Sequence, residues 1–416
     1  MIRVHYGKEM LELPIPADNL AFNLFPKKVS GTDNEQEVIE QALQRPIGCG
    51  RLCELVPSDA SVVIIADDRT RMTPQDRIIP QVLNELYAAG VTKKHIRIII
   101  AYGTHRRMSD SEVELKFGRK ITSTVEIRHH DCLDQSKLLD MGLTRRGTRI
   151  FVNRECMEAD IRIGIGSVVP HYPTGWSGGA KILLPGLAGE ETTYAMHLLG
   201  ITETSLGQEV SPVREEMEDF AREVGLHFIV NVIHDDHGRV VHAVSGHFIK
   251  AHREAVRLGR DMYSAVYREK ADITLSSPYP IDYDLTQSSK GLFSAELATK
   301  PGGEIILLSP CSEGIAPTHG DEMLRLGLYD NDRIRYMLDK RQISDPLSAT
   351  ECMYYNLVKD KFRTVLMMDS DLSRRLGFNH ISPDALPGYI ARRLEENRGL
   401  KIGVLNQSAE LLPTAQ

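Results

Sequence analysis

The feature that most restricts the fold of this chain is a series of short, almost wholly apolar runs, each followed by a segment of helical periodicity. Residues 61–66 read SVVIIA and residues 96–102 read IRIIIAY. Runs of strand length without polar alternation suit strands buried on both faces, and parallel sheets covered by helices bury them that way. Between the two runs, residues 73–90 carry apolar residues at helical spacing, with Pro74 at an early position where its missing N–H costs little. After the second run, Ser109-Asp110-Ser111-Glu112 has the chemistry of a capped helix start. Further strands are expected at 124–127, 149–152 and 160–166. This alternation predicts a mostly parallel, doubly wound sheet.

Residues 212–223 read as a charged amphipathic helix. The runs at 227–233 and 240–243 flank the polar turn Asp235-Asp236-His237-Gly238, which is a hairpin signal. A long helix is expected over 247–269. Beyond it, runs at 272–276 (DITLS), 304–309 (EIILLS), 364–368 and 401–406, with a helix beginning near Gln287, repeat the strand–helix alternation. A chain of 416 residues, 42% of them hydrophobic, exceeds what one compact core usually holds. We therefore expect an α/β protein of two domains, residues 1–270 and 271–416, each a mostly parallel sheet flanked by helices, with room for a cleft between them.

Composition removes several function classes. Fifty basic and 57 acidic residues give a net charge of −7, interspersed without a basic block, which argues against a nucleic-acid groove or a membrane-surface patch. No stretch approaches the roughly 18 apolar residues of a membrane span, and the first residues lack the apolar core of a signal peptide, so a cytoplasmic protein is expected. The six cysteines match no zinc or redox spacing; Cys49 and Cys53 come nearest and read as reduced, structural thiols. Fifteen histidines against one tryptophan is a rich count, and several follow apolar runs directly.

Ligands of open α/β sheets sit at the carboxyl ends of strands. Four such places carry suitable chemistry: Asp67-Asp68-Arg69-Thr70-Arg71, Gly103-Thr104-His105, a long loop opening with His171, and a loop leading to Gln287 and Lys290. In the long loop, glycines at 175, 178 and 179 let backbone pass close to a ligand, and Lys181 adds a charge or an amine nucleophile. A phosphate-binding P-loop fails on spacing, because Ala180 intervenes before Lys181 and Ile182 follows it. His105 and His171 suit general acid and base roles, although each taken alone equally suits a structural one. His197, in a helix expected at 190–199, reads as a metal ligand or a satisfied core histidine. His234-Asp235-Asp236-His237 looks metal-like, but its hairpin setting favours a solvated turn. Gln287 and Lys290 stand three apart near a helix start, a setting that suits a substrate carboxylate, and Arg71 offers a planar bidentate fork.

These blocks together resemble the nickel-dependent lactate racemase family. The resemblance rests on Asp68-Arg69-Thr70-Arg71 with Pro74, Gly103-Thr104-His105, Pro170-His171 through Ser177-Gly178-Gly179-Ala180-Lys181 to Pro185-Gly186, His197, and Gln287-Ser288-Ser289-Lys290. Their order and spacing follow the family from about residue 10 to residue 405. The resemblance implies a two-domain α/β fold with the active site in the interdomain cleft, holding a nickel pincer nucleotide, built on a pyridinium ring with two sulfur donors, tethered at Lys181 and ligated through its metal by His197. It implies that His105 and His171 are the acid/base pair and that Arg71, Gln287 and Lys290 hold the substrate carboxylate. Asp68 would lie beside the cofactor or orient a catalytic histidine. The stretch Trp176-Ser177-Gly178-Gly179 would border the cofactor, with Trp176 either stacking on its ring or packing within the protein. The cofactor would be made and loaded by separate maturation proteins.

The chemistry so implied is inversion at C2 of a 2-hydroxy acid, with hydride rather than proton leaving the weakly acidic carbon and a 2-keto acid as intermediate. Two positions depart from lactate-specific members: Pro173-Thr174-Gly175-Trp176 in the loop, and Thr286 before Gln287. Hydroxyls there suggest a more polar pocket, so longer or polyhydroxylated acids such as aldonic acids stand beside lactate. Two other readings remain: a zinc-dependent hydrolase or transferase using the glycine loop for phosphate, and a non-catalytic carboxylate-binding homologue.

Overall fold

The computed structural model describes residues 1–29, 34–201 and 205–416. They form two compact units, one of residues 28–169 and 173–261, the other of residues 1–27, 170–172 and 262–416. In the first, six strands lie in the order Val240–Gly246, Phe228–His234, Ile161–Ser167, Val62–Asp67, Ile96–Ala101, Glu126–His129. Every pairing is parallel except that of the first two, which join across the expected hairpin. All six residues of Val62–Asp67 are buried, as a strand covered on both faces requires. Helix Gln75–Ala88 packs Ile78, Ile79, Val82 and Leu86 into the same core as Ile64, Ile98, Ile100 and Ile163. Helix Asp110–Phe117 starts at Ser109, whose hydroxyl accepts from Glu112 N while Glu112 reaches back to Ser109 N, completing the expected capping box.

The second unit also holds a six-stranded sheet, in the order Asn379–His380, Arg363–Leu366, Thr299–Leu307, Ala271–Ser277, Ile402–Asn406, Leu20–Leu24, with every pairing parallel. Ile273, Leu275, Ile306, Val365 and Val404 meet Leu386 and Ile390 of helix Leu386–Glu396 in its core.

Three sequence expectations change. Residues 1–27, expected with the first domain, belong to the second unit, because Leu20–Leu24 pairs in parallel with Ile402–Asn406 and Val4 and Leu13 enter that core. The helix expected over 247–269 spans Lys250–Tyr263 and ends where Ser264–Tyr267 pairs with Leu412–Ala415. The strand near 149–152 forms, as Arg149–Asn153, but pairs antiparallel with Leu138–Leu143 in a separate ribbon instead of joining the main sheet. All six cysteines are free, and among the described residues no helix is long and apolar enough to cross a membrane.

Candidate functional site

Strand Val62–Asp67 delivers two carboxylates of different use to its carboxyl end. Asp67 is enclosed: Thr73 Oγ1 donates to it at 2.5 Å, Gln75 Nε2 at 2.9 Å, and Lys116 Nζ lies 3.5 Å away. Lys116 also donates to the Arg71 carbonyl at 2.6 Å, so this cluster ties residues 67–75 to helix Asp110–Phe117. Asp68 turns the other way. Its Oδ1 accepts from Thr70 N at 3.0 Å and Thr70 Oγ1 at 2.5 Å, and its Oδ2 lies 2.8 Å from His105 Nδ1. Asp68 is 3% exposed while the His105 side chain is 35% exposed, so a buried anion holds a ring whose other edge reaches outward.

Burial alone would raise the Asp68 carboxyl. The charge and hydrogen bond of His105, then Arg71 and Thr70, outweigh it and hold the group well below the ordinary carboxylate value. With Asp68 ionised, His105 Nδ1 carries the hydrogen and Nε2 the lone pair, the tautomer a general base needs. Arg71 Nη1 donates to Thr70 O and Oγ1, each at 3.1 Å, which fixes the guanidinium beside the pair.

From residue 173 onward the long loop is held by bonds within its own unit. Ser177 Oγ donates to Ser167 O at 2.8 Å and accepts from Val169 N at 2.9 Å, so this hydroxyl serves backbone. Gly178 and Gly179 adopt φ of 75° and 58°. A Cβ at Gly178 would come within 2.5 Å of Val168 Cγ2, and one at Gly179 within 2.9 Å of the His252 ring, so the protein's own packing demands both glycines. The Ser177, Gly179 and Lys181 amides donate to Val169 O, Asn231 Oδ1 and Gly178 O. A phosphate nest would need such amides for its ligand.

Trp176 is fully buried, with the Arg260 guanidinium 5.7 Å from its ring centre and Gly259 close against it, so packing within the protein accounts for its position. Lys181 sits in the single turn Gly179–Ile182 and His197 in the last turn of helix Glu190–Gly200; both belong to the same unit as His105 and are only partly buried.

The second unit carries the other expected residues. His171, in the short segment 170–172, is partly exposed, whereas the next residue, Tyr172, is buried and stacks on Phe293 with ring centres 3.7 Å apart. Gln287 and Lys290 do not share one helix turn as expected. Asp284 caps the short helix Leu285–Ser288 by accepting from Gln287 N at 2.8 Å, and Lys290 opens the next helix, Lys290–Ala298. The two side chains meet nonetheless, Lys290 Nζ donating to Gln287 Oε1 at 2.5 Å. Thr286 points its hydroxyl at Asp284 Oδ1, 2.7 Å away.

Several groups at these places carry no motif in the sequence. Arg214 is buried and donates to the carbonyls of Gly178 at 3.2 Å, Thr174 at 3.3 Å and Trp176, gripping the loop at three points; burial lowers its guanidinium to about 9. His252, equally buried and held neutral by burial, binds Ser177 O through Nε2 at 2.9 Å. Asn231, on strand Phe228–His234, joins Gly179 N to Gly166 O. The metal-like run at 234–237 is a turn built on Asp235, whose Oδ1 accepts from the His237 and Arg239 amides at 2.9 Å.

A family model for the lactate racemase N-terminal domain matches residues 6–208, and one for the lactate racemase C-terminal domain matches residues 266–351. The chain is 31% identical over 329 residues to a lactate racemase of Thermoanaerobacterium thermosaccharolyticum, covering 77% of this chain and 76% of that one. It is 30% identical over 347 residues to a lactate racemase of Lactiplantibacillus plantarum, covering 82% and 80%. The solved lactate racemase apoprotein of T. thermosaccharolyticum superposes with a TM-score of 0.88 at 26% identity over 99% of both chains. A Thermotoga maritima protein shares the fold, with a TM-score of 0.72 at 19% identity over 94% of this chain and 100% of that one. The chain belongs to the lactate racemase family and is an isomerase of that family.

Proposed function

We propose that the protein inverts C2 of a 2-hydroxy acid, and the observation that carries this reading is His105, held by its Nδ1 on the buried Asp68 carboxylate with Arg71 alongside. In that pairing His105 Nε2 accepts the substrate hydroxyl proton, and Asp68 stabilises the imidazolium that results. His171 performs the same duty for the mirror-image substrate. Arg71 clamps the substrate carboxylate with two parallel donors, while Gln287 and Lys290 contribute an amide and an ammonium. The Cα hydrogen of a 2-hydroxy acid is too weakly acidic for easy removal as a proton next to a carboxylate. Departure as hydride, with the hydroxyl proton passing to histidine, avoids a dianion and gives a 2-keto acid that is reduced again on its opposite face.

The hydride acceptor would be a nickel pincer nucleotide held by Lys181 and His197, and the electrophile it supplies when bound is one that no side chain provides. The donor set fits such a group. Among the described residues no three His, Cys, Asp or Glu side chains gather as a metal site, and a cofactor bringing its own sulfur donors asks the protein for a single imidazole. A catalytic zinc needs about three protein ligands, so the same observation speaks against the hydrolase reading. The engaged loop amides speak against its phosphate site.

Lactate, named for the relatives, and longer hydroxylated acids are the substrate classes in view. The test is chiral analysis of lactate and of C2-epimeric aldonic acids after incubation with protein produced alongside its maturation proteins. Inversion at C2 supports the reading; failure with every 2-hydroxy acid tried, by protein shown to carry nickel, overturns it.

A further inference from the structure

The parallel ladder between Val62–Asp67 and Ile96–Ala101 ends at the pair Asp67 and Ala101. Asp68 and His105 therefore sit on two separate turns beyond the last sheet bond, and their 2.8 Å contact depends on what fixes those turns to each other. The next residue in each turn is an arginine, Arg69 after Asp68 and Arg106 after His105. Both guanidinium groups converge on one carboxylate, that of Glu112. Its Oε1 accepts from Arg106 Nη2 at 2.6 Å and lies 3.4 Å from Arg69 Nε. Its Oε2 accepts from Arg106 Nη1 at 2.9 Å and from Ser109 N at 2.8 Å. Capping the helix thus occupies Oε2 alone, and Oε1 is spent on the two arginines. Glu112 belongs to helix Asp110–Phe117, which buries Val113 and Phe117 in the core of the same unit and whose Lys116 holds the Arg71 carbonyl.

We propose that Glu112 is a positioning residue for the Asp68–His105 pair: through Arg69 and Arg106 it keeps the two turns at the spacing that holds His105 Nδ1 on Asp68. This rests on the reading that His105 is the base. The bonds of Asp68 to Thr70 shape one turn and that of Met108 N to Tyr102 Oη shapes the other, and the Glu112 clamp joins them. Two parallel bonds fix the Arg106 guanidinium in direction as well as distance, so the residue next to His105 is held to a helix anchored in the core. The Arg69, Glu112 and Arg106 side chains are 22%, 27% and 34% exposed, so solvent screens each pair and the clamp acts as a network of three charges. Arg106 foremost, then the Ser109 amide and Arg69, hold the Glu112 carboxyl down at about 2 against the rise from burial, which keeps the clamp charged across the neutral range.

Two variants test this. Glu112→Gln removes the charge but keeps the length and the capping acceptor, since glutamine serves at this helix position as glutamate does. Arg106→Gln opens the clamp without touching the helix. In the nickel-loaded protein the Nδ1 hydrogen of His105 is followed by proton nuclear magnetic resonance and identified by its loss in His105→Ala. Its exchange with water should be about tenfold faster in either variant. For lactate, or an aldonic acid if only that class is inverted, kcat should fall about tenfold in each while KM stays within about twofold, because Arg71 keeps its own hold through Lys116 and Thr70. The double variant should lose no more than either single one, as groups acting in one network do. Unchanged exchange in both variants overturns the proposal. So do losses that multiply in the double variant, or a KM that rises as kcat falls, as general loosening of the fold would produce. If the parent inverts no 2-hydroxy acid, it is the functional reading that has failed, and the exchange rates still decide whether Glu112 holds the pair.

Discussion

Replacing Asp68 by asparagine keeps the shape of the group while removing its charge, and the bonds around it determine the consequence for His105. The amide oxygen can still accept from Thr70 N and Oγ1, the bonds now made to Asp68 Oδ1 at 3.0 and 2.5 Å, so the turn should survive. The amide nitrogen then faces His105 Nδ1 at the position of Oδ2, and it can only donate. His105 must present its lone pair at Nδ1 and its hydrogen at Nε2, the wrong tautomer for a base.

A charge-assisted hydrogen bond to a carboxylate that is 3% exposed is also lost, a contribution of about 1.5 to 3 kcal/mol that solvent does not screen away. That alone corresponds to roughly 10- to 150-fold in rate, and the tautomer change adds to it. We therefore expect kcat for racemisation to fall by about two orders of magnitude or more, with cofactor loading little changed and the thermal midpoint lowered by the loss of a buried charge-assisted bond. Asp68 is held below its ordinary value, so its stabilising charge is present above the unfolded carboxylate range and is lost only as pH falls through the lower folded value. The deficit should thus be constant across the neutral range. A variant within about threefold of the parent in kcat/KM would refute the dyad.

Three further outcomes are expected from the same geometry. His105→Ala and His171→Ala should each abolish racemisation while nickel content persists; near-normal turnover in either would separate that residue from the acid/base pair. Intact mass spectrometry of protein made with its maturation proteins should show an adduct that Lys181→Ala lacks, and His197→Ala should keep the adduct while losing nickel; an adduct surviving in Lys181→Ala places the tether elsewhere. Arg214→Met strands three buried loop carbonyls and should lower unfolding free energy by about 3 to 5 kcal/mol in denaturant titration, whereas a change under about 1 kcal/mol would show that the loop does not depend on this side chain.

Where the sequence was legible, it was because burial on both faces leaves a local mark. The runs at 61–66, 96–102 and 160–166 became strands within a residue or two of their expected ends, since four to six consecutive buried positions admit little else. The edges of the sheets left no such mark. Leu20–Leu24 joins Ile402–Asn406 across nearly the whole chain, and Ser264–Tyr267 ends a helix only because Leu412–Ala415 lies beside it; both depend on partners that no local pattern announces.

The candidate site divides in the same way. Asp68, Arg71 and His105 were readable because strand ends in such sheets are where ligands bind, and His105 does meet Asp68 there. Arg214, His252 and Asn231 were not. Each is a polar residue inside a regular element that spends hydrogen bonds on loop backbone; in sequence Arg214 and His252 look like further residues on amphipathic helices, and Asn231 like a polar interruption of an apolar strand. Ser177, Gly178 and Gly179 were singled out for a ligand, yet their observed contacts are with Ser167, Val168, Asn231 and His252.

The central claim is that C2 inverts by hydride movement within one bound molecule, with histidines handling only the hydroxyl proton. Substrate carrying deuterium at C2, turned over in ordinary water by the nickel-loaded protein, tests it in a single mass spectrum of the inverted product. Retention of the deuterium at C2 is the predicted result; its replacement by solvent hydrogen at the rate of inversion would mean that the carbon loses a proton instead, and would contradict the account.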